Sequence, residues 1–378
     1  MLTIFDVLLS LAVSFTITFL SIPVIITVAD RKKLFDHPDE RKIHETPIPA
    51  LGGLGIFAGL VMAVLLALKF QQAAEFQFFL AAAFVIFFLG LKDDILILSP
   101  VKKLIGQIMA AFLIIYQGGM QIHSMHGFMG LTAQLPELFS LLLTYFTVLV
   151  IINSFNLIDG VDGLAGTLGF IAALFFGSYF IVADIIPYAV LAFALAGSIG
   201  AFLIFNVQPA KIFMGDTGSL LIGLIQSILV VKFISAAENP LSSSALNAAP
   251  AIGFAALMIP LMDTLRVFAI RIFHRRSPFS PDRNHVHHLF LDLGFSHKKV
   301  TLTLASVNVC FLLFVFIFRD FGTTLLLFFT AIAFFSLIGI LYYLKPKPTM
   351  FVAKKTDHNS ITKRVVSLTD DTILEQKN

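Results

Sequence analysis

The sequence has little charge. Only 13% of its 378 residues are Asp, Glu, Lys or Arg, about half the share of a soluble domain. It has no tryptophan and one cysteine, Cys310, which excludes a disulfide framework and a cysteine-based zinc site. A formal net charge of +3 is too small to attract a nucleic acid. No internal repeat of the kind that marks many secondary transporters is visible. What is abundant is apolar: 58% hydrophobic residues, 42 phenylalanines and a mean hydropathy of +0.92. A soluble globular enzyme and a disordered chain are excluded, and a polytopic helical membrane protein remains.

Eleven apolar runs are long enough to read as membrane helices, which need about 17–25 residues for a hydrocarbon core of roughly 30 Å. They lie near residues 3–28, 50–68, 76–91, 101–117, 138–157, 164–183, 186–206, 217–235, 248–270, 301–318 and 322–344. The expected fold class is all-α, with about 11 transmembrane helices. Met1–Asp6 carries no Lys or Arg, so the first run reads as an uncleaved span and not as a signal peptide. Residues 1–344 read as one membrane domain and 345–378 as a flexible polar tail. Basic residues near span ends set the orientation. Of 26 Lys and Arg, 23 fall on one side; Lys69, Lys232 and Arg319 fall on the other. The amino terminus is then outside and the tail cytoplasmic.

Four of the cytoplasmic connections carry dense polar groups. The first is Lys92-Asp93-Asp94, followed by Ser99-Pro100 and Lys102-Lys103. Adjacent carboxylates at a membrane boundary need a cation, a lysine partner or a raised pKa. They read as a Mg²⁺ or proton-handling site, or as a solvated turn. In the second, Asn153, Asn156, Asp159 and Asp162 are spaced by three, with Gly160, Gly163 and Gly166 between and after them. One helix cap explains one such residue, not four, so a polar cavity is expected. The third runs from Phe205 through Lys211 and Phe213 to Gly215-Asp216-Thr217-Gly218-Ser219. A helix starting there offers free N–H groups to phosphate, and Asp216 offers a hard oxygen to Mg²⁺. The fourth holds Arg275, Arg276, Arg283, His285, His287 and His288. Its arginines suit a diphosphate. Asp263 and Arg266, at i,i+3, read as a structural ion pair. A secondary transporter, the rival reading from another class, would place charges near the midplane instead.

These four constellations, in this order and on one side, resemble the polyprenyl-phosphate N-acetylhexosamine-1-phosphate transferases (the MraY/WecA/TagO family, of glycosyltransferase 4 type). The resemblance covers residues 1–344. Ser277 to His288, with Val286 interrupting the histidines, resembles the WecA/TagO branch more than the MraY branch. It implies transfer of N-acetylglucosamine-1-phosphate from UDP-GlcNAc, or another UDP-N-acetylhexosamine, to undecaprenyl phosphate. UMP is released, in the first membrane step of a surface polysaccharide. The alternative within the family is the MraY-type transfer from UDP-MurNAc-pentapeptide. The resemblance further implies Mg²⁺, with Mn²⁺ as a stand-in, a bacterial inner membrane, a cytoplasmic active site and a homodimer. By the same resemblance Asn156 and Asp216 hold the metal, and Asp159 and Asp162 orient the nucleotide. Phe213 stacks on uracil. Arg275, Arg276 and Arg283, with His287 and His288, steady the diphosphate and sugar; Lys211 and His285 join the substrate-binding set. Lys102 and Lys103 attract the lipid phosphate. Asp93 or Asp94 is the base for direct attack or, alternatively, a covalent nucleophile.

Overall fold

The computed structural model describes residues 2–33, 48–96, 98–237, 245–275, 285–344, 350–353 and 364–367. Its helices are α1 (Ile4–Lys32), α2 (Gly52–Ala67), α3 (Phe76–Leu96), α4 (Pro100–Phe112), α5 (Glu137–Ile158), α6 (Leu164–Val182), α7 (Ile186–Asn206), α8 (Gly215–Ala237), α9 (Ala249–Ala256), α10 (Met258–Phe273), α11 (Val286–Asp292), α12 (His297–Ile317) and α13 (Thr323–Leu344). A π-helical turn, Leu113–Gln117, continues α4. In the tail, strands β1 (Met350–Ala353) and β2 (Arg364–Ser367) pair antiparallel, Met350 opposite Ser367.

The protein is an all-α membrane protein, with helix at each apolar run of the sequence. Among the described residues seven helices are long and apolar enough to cross a bilayer singly: α1, α5, α6, α7, α8, α12 and α13. The bent pair α9–α10 would make an eighth.

The run near 248–270, expected as one continuous span, is two helices meeting at 84°. The cause is local. Pro260 has no N–H to give the Ala256 carbonyl four residues earlier. Asn308 of α12 closes the break: its Nδ2 donates to the Ala256 carbonyl (3.0 Å) and its Oδ1 accepts from the Ile259 N–H (3.1 Å). In lipid, backbone groups left without partners are costly.

The centre of the bundle is α8, 78% buried in its apolar window, against 17% for α1 and 22% for α13. It packs on α2, α3, α5 and α6. On α1, Ser10, Ser14 and Thr18 form a small-residue stripe at four-residue spacing, the face that meets α7 and α2. A Cβ at Gly197 would lie 2.1 Å from the Ser14 hydroxyl, and one at Gly59 2.1 Å from that of Thr18. Helices without a hydrophobic drive to associate pack through such close approaches.

The same economy positions the polar end of α8. Gly53 and Gly90 have no Cβ where one would sit 2.3 Å from Gly218 N and 2.5 Å from Thr217 Cα. The segments leading into α2 and α8 are laced by Phe213 N to Pro49 O, Gly52 N to Phe213 O and Gly53 N to Met214 O, each 2.9 Å. The first turn of α8 is thereby pressed against the last turns of α3, where Asp93 and Asp94 stand.

Candidate active site

Asp94 caps α8 from across the bundle. Its Oδ1 accepts from Asp216 N (2.7 Å), and its Oδ2 accepts from Thr217 N (3.1 Å) and Thr217 Oγ1 (2.5 Å). The sequence left these amides open for phosphate; the fold fills them with a carboxylate of this chain. Both oxygens of Asp94 are committed to aiming Asp216. Asp93 is buried, and its Oδ1 accepts from Leu98 N at 2.6 Å. Lys103 pairs with both Asp93 and, at 2.6 Å, Asp216. One ammonium therefore bridges α3 and α8.

Residues of α5 complete the group. Asn156 Nδ2 donates to Ser219 Oγ (3.1 Å), beside Asp216. One turn earlier Asn153 donates to Gln107 Oε1 (2.8 Å), holding α4 so that Lys103 lies one turn from the contact. Asp159 follows the end of α5. Burial, then the negative charges of Asp216, Asp94 and Asp162, push its carboxyl up to about 8. A carboxyl raised by its own kind marks a place short of positive charge. Among the described residues no three His, Cys, Asp or Glu side chains form a ready-made metal cage.

Asp162, expected on the nucleotide, is buried and turned to α12. Its Oδ1 lies 3.1 Å from His297 Nδ1, and its carbonyl accepts from Thr301 Oγ1 (2.9 Å). Gly163 N donates to Asn206 Oδ1 (2.8 Å), and Asn206 Nδ2 donates to the Ile212 carbonyl (2.9 Å). Asp162 thus ties the turn after α5 to α12, and Asn206 ties it to the segment before α8. His297 lies outside the four polar motifs of the sequence; only its place in the fold gives it a role.

Arg276 and Arg283 lie outside the described residues, as does Ser277–Asp282. Arg275, Lys102 and Lys211 are exposed, and Phe213 is half-buried. His285 and His287 are buried and His288 half-buried. The three rings adjoin: His285 and His287 lie parallel with centroids 5.7 Å apart, and His288 is tilted at 48° to His287 with centroids 4.3 Å apart. A Cβ on Gly160 would lie 2.6 Å from His287 Nε2, so the His287 ring rests on the turn that carries Asp159. Burial, with the neighbouring His288 next, holds His287 down at about 3. It is a neutral imidazole at any physiological pH. Its Nδ1 is buried without a hydrogen-bond partner among the described residues. His285 does not face the carboxylates: its Nδ1 is 2.8 Å from Asp263 Oδ2.

An apolar cavity of about 270 Å³ runs along α5, α8 and the α9–α10 bend, from Ile122 and Phe128 past Phe146 and Leu257 to Val150, Ile151 and Leu265. Asn153 and Asn156 lie within two turns of Ile151 on the same helix. An apolar channel of this kind suits a lipid chain. The carboxylates, amides, lysine and histidines of the polar group do not line it; on α5 they lie past its Ile151 end, toward one end of the bundle. That combination defines a membrane-embedded transferase.

Comparison with known proteins makes the class specific. Residues 76–234 match glycosyl transferase family 4. The chain is 34% identical over 313 residues to the decaprenyl-phosphate N-acetylglucosaminephosphotransferase of Mycobacterium tuberculosis (strain ATCC 25618 / H37Rv), covering 76% of each chain. It is 30% identical over 288 residues to the undecaprenyl-phosphate alpha-N-acetylglucosaminyl 1-phosphate transferase of Yersinia pestis, covering 74% of this chain and 76% of that one. To a probable undecaprenyl-phosphate N-acetylglucosaminyl 1-phosphate transferase of Bacillus subtilis (strain 168) it is 29% identical over 315 residues, covering 80% and 84%. The chain belongs to the polyprenyl-phosphate N-acetylhexosamine-1-phosphate transferase family, phosphotransferases of glycosyl transferase family 4.

Proposed function

We propose that this protein transfers N-acetylglucosamine-1-phosphate from UDP-GlcNAc to undecaprenyl phosphate, as the first membrane step of a surface polysaccharide. One observation carries the reading: Asp93 of α3 and Asp216 of α8 share a single lysine, Lys103, and Asp159, just past α5, feels the charge of Asp216 and Asp94. Both substrates are anions, and one of them is a lipid. The cavity accommodates part of the isoprenoid chain, and the polar group receives the phosphates.

The donor set fits Mg²⁺. Asp216, Asn156 and Asp159 offer hard oxygens, and the excess of carboxylate over Lys103 calls for a cation; Mn²⁺ is a chemically similar stand-in. Asp216 and Asn156 would hold the metal, which would neutralise charge on the diphosphate. The chain's own residues do the positioning. Asp94, fully engaged by the α8 amides, fixes Asp216. Lys103 turns from its carboxylates to phosphate. His287, neutral, donates or accepts a hydrogen bond without adding charge.

An oxygen of the lipid phosphate attacks the phosphorus that bears the sugar. The bond from that phosphorus to the bridging oxygen breaks, and UMP leaves. A phosphate monoester with a second pKa near 6 is already largely dianionic at neutral pH. The nucleophile needs little help; the α8 amides engage both oxygens of Asp94, and the Leu98 amide holds Asp93. Direct in-line attack is favoured over a covalent aspartyl intermediate.

The reading places the protein in a bacterial inner membrane as a homodimer, the carboxylate end facing the cytoplasm as the charge bias requires. The test is UMP release by the purified protein with undecaprenyl phosphate. UDP-GlcNAc and UDP-MurNAc-pentapeptide are supplied in parallel, with and without Mg²⁺. Release with UDP-GlcNAc only, Mg²⁺-dependent and reduced at least about 100-fold by Asp216→Asn, is expected, since several kcal/mol of charge stabilisation is lost. Release with the pentapeptide substrate only would overturn the choice of sugar. A trapped phospho-aspartyl enzyme would overturn direct attack.

A further inference from the structure

The strongest unassigned feature is a buried cluster on α10. Asp263 is 1% exposed and is held by three groups. Its Oδ1 accepts from Arg266 Nη2 (2.8 Å) and from Val286 N (3.0 Å), and its Oδ2 lies 2.8 Å from His285 Nδ1. Arg266 continues outward to the Tyr342 hydroxyl of α13 (3.3 Å). On the other side of the His285 ring, Arg271 Nη2 lies 3.5 Å from Nε2.

These contacts fix more than an ion pair. Val286 is the first residue of α11, so Asp263 caps that helix from a different element, replacing the side-chain cap that His285 does not give it. An Arg at Nε2 and a carboxylate at Nδ1 select the tautomer with the proton on Nδ1. The ring is held at both nitrogens. Parallel to it lies the His287 ring, and that ring rests on Gly160, next to Asp159. A continuous path of contacts therefore runs from α13 through Arg266, Asp263 and His285 to the imidazole that rests on the Asp159–Gly160 turn.

We propose that Asp263 is a positioning residue for the transferase: by clamping His285 and the first amide of α11 it sets His287 against the Asp159–Gly160 turn. His285 is then part of the clamp and does not touch the diphosphate. This rests on the phosphotransfer reading above. Groups that orient a working histidine from behind typically change activity by about 10–100-fold when removed.

The experiment uses the full chain in detergent or nanodiscs, assayed for UMP release with UDP-GlcNAc and undecaprenyl phosphate. Asp263→Asn is expected to lower kcat by about 10–100-fold, with KM for the nucleotide sugar within about twofold. Because Asp263 acts through His287, the double variant D263N/H287A should be no slower than H287A alone; two independent losses would multiply. Asn places an N–H donor where His Nδ1 stands, so His285→Asn should recover at least about tenfold of what His285→Ala loses. Multiplied losses in the double variant, or an H285N as slow as H285A, would overturn the proposal; the latter would put His285 Nε2 on the substrate. If D263N does not fold, the H285A and H285N pair decides, because the Asp263–Arg266 contact survives in both. If the wild type is inactive with every nucleotide sugar, the functional reading fails, and hydrogen exchange judges the clamp by itself. H285A should then raise deuterium uptake across residues 285–292 and leave 217–231 unchanged; unchanged uptake at 285–292 would overturn it.

Discussion

Asp159 shows how a single residue reports what its surroundings lack. In the unfolded chain its carboxyl ionises near 4; in the folded protein burial and three neighbouring aspartates push it up to about 8. Between those values the folded state keeps a proton that the unfolded state gives up. The contribution of Asp159 to the stability of the metal-free protein must therefore fall as pH rises from about 4 to about 8, and level off above that. Asp159→Asn removes the titration. The expected outcome, read by thermal melting of metal-free protein between pH 5 and 9, is a flatter profile with the variant gaining on wild type toward pH 9. A steeper decline in the variant would contradict the assignment. His287 behaves oppositely: held at about 3 in the folded protein against about 6.5 in the unfolded chain, it makes stability rise with pH up to about 6.5 and adds no slope above that, a contribution common to wild type and variant. Glycine works at the same scale. Gly53, Gly90 and Gly160 matter for the Cβ they lack, and nothing in a single sequence distinguishes them from glycines that face open space.

At the scale of elements, the α9–α10 break is the clearest case of one helix completing another. The sequence shows Pro260 but not where the freed Ala256 carbonyl finds its donor. Asn308, 52 positions after Ala256 in the chain, supplies it and also accepts from Ile259. Asn308→Leu would strand one carbonyl and one amide in an apolar interior, a penalty of about 1–3 kcal/mol for each group. The melting temperature of the variant, followed by size-exclusion chromatography after heating, should drop clearly while α8 and its carboxylates stay assembled at low temperature. An unchanged melting temperature would mean that water or a shifted backbone satisfies the break. The N-terminus of α8 carries the complementary lesson. Its exposed amides look like a phosphate site in the sequence, but Asp94 already occupies them.

At the scale of the whole molecule, the decisive property is asymmetry. Basic residues crowd the connections at one end, 23 of 26 by the sequence reading, and the carboxylate group and histidines sit there too. The orientation that follows has a direct check. In a Cys310→Ser background, a cysteine at exposed Gln72 should react with a membrane-impermeant maleimide in intact cells, whereas one at exposed Lys211 should react only after permeabilisation. The reverse pattern would turn the protein over and remove the cytoplasmic site. The same placement separates an enzyme from a transporter. The buried ionic group nearest the bend, Asp263 with Arg266, belongs to a clamp and is not among the residues that line the apolar cavity.

The sequence by itself determined the class. Low charge and long apolar runs leave only a helical membrane bundle, because twenty apolar residues have no other stable environment. It also showed the chemistry's vocabulary, since Asp93-Asp94, Asn156, Asp159, Asp216 and the histidines are costly at a membrane boundary unless used. What it could not show is which of them face one another. Asp162 and His285 belong to the same motifs as Asp159 and His287, yet one is tied to His297 and the other to Asp263. Asp263 and His297 stand outside the motifs and hold the site together. Residue spacing sets the neighbours along one helix; hydrogen bonds between residues 22 and 135 positions apart are decided only when the bundle closes. A short-range force acts on position in space, and the tertiary fold alone supplies that position.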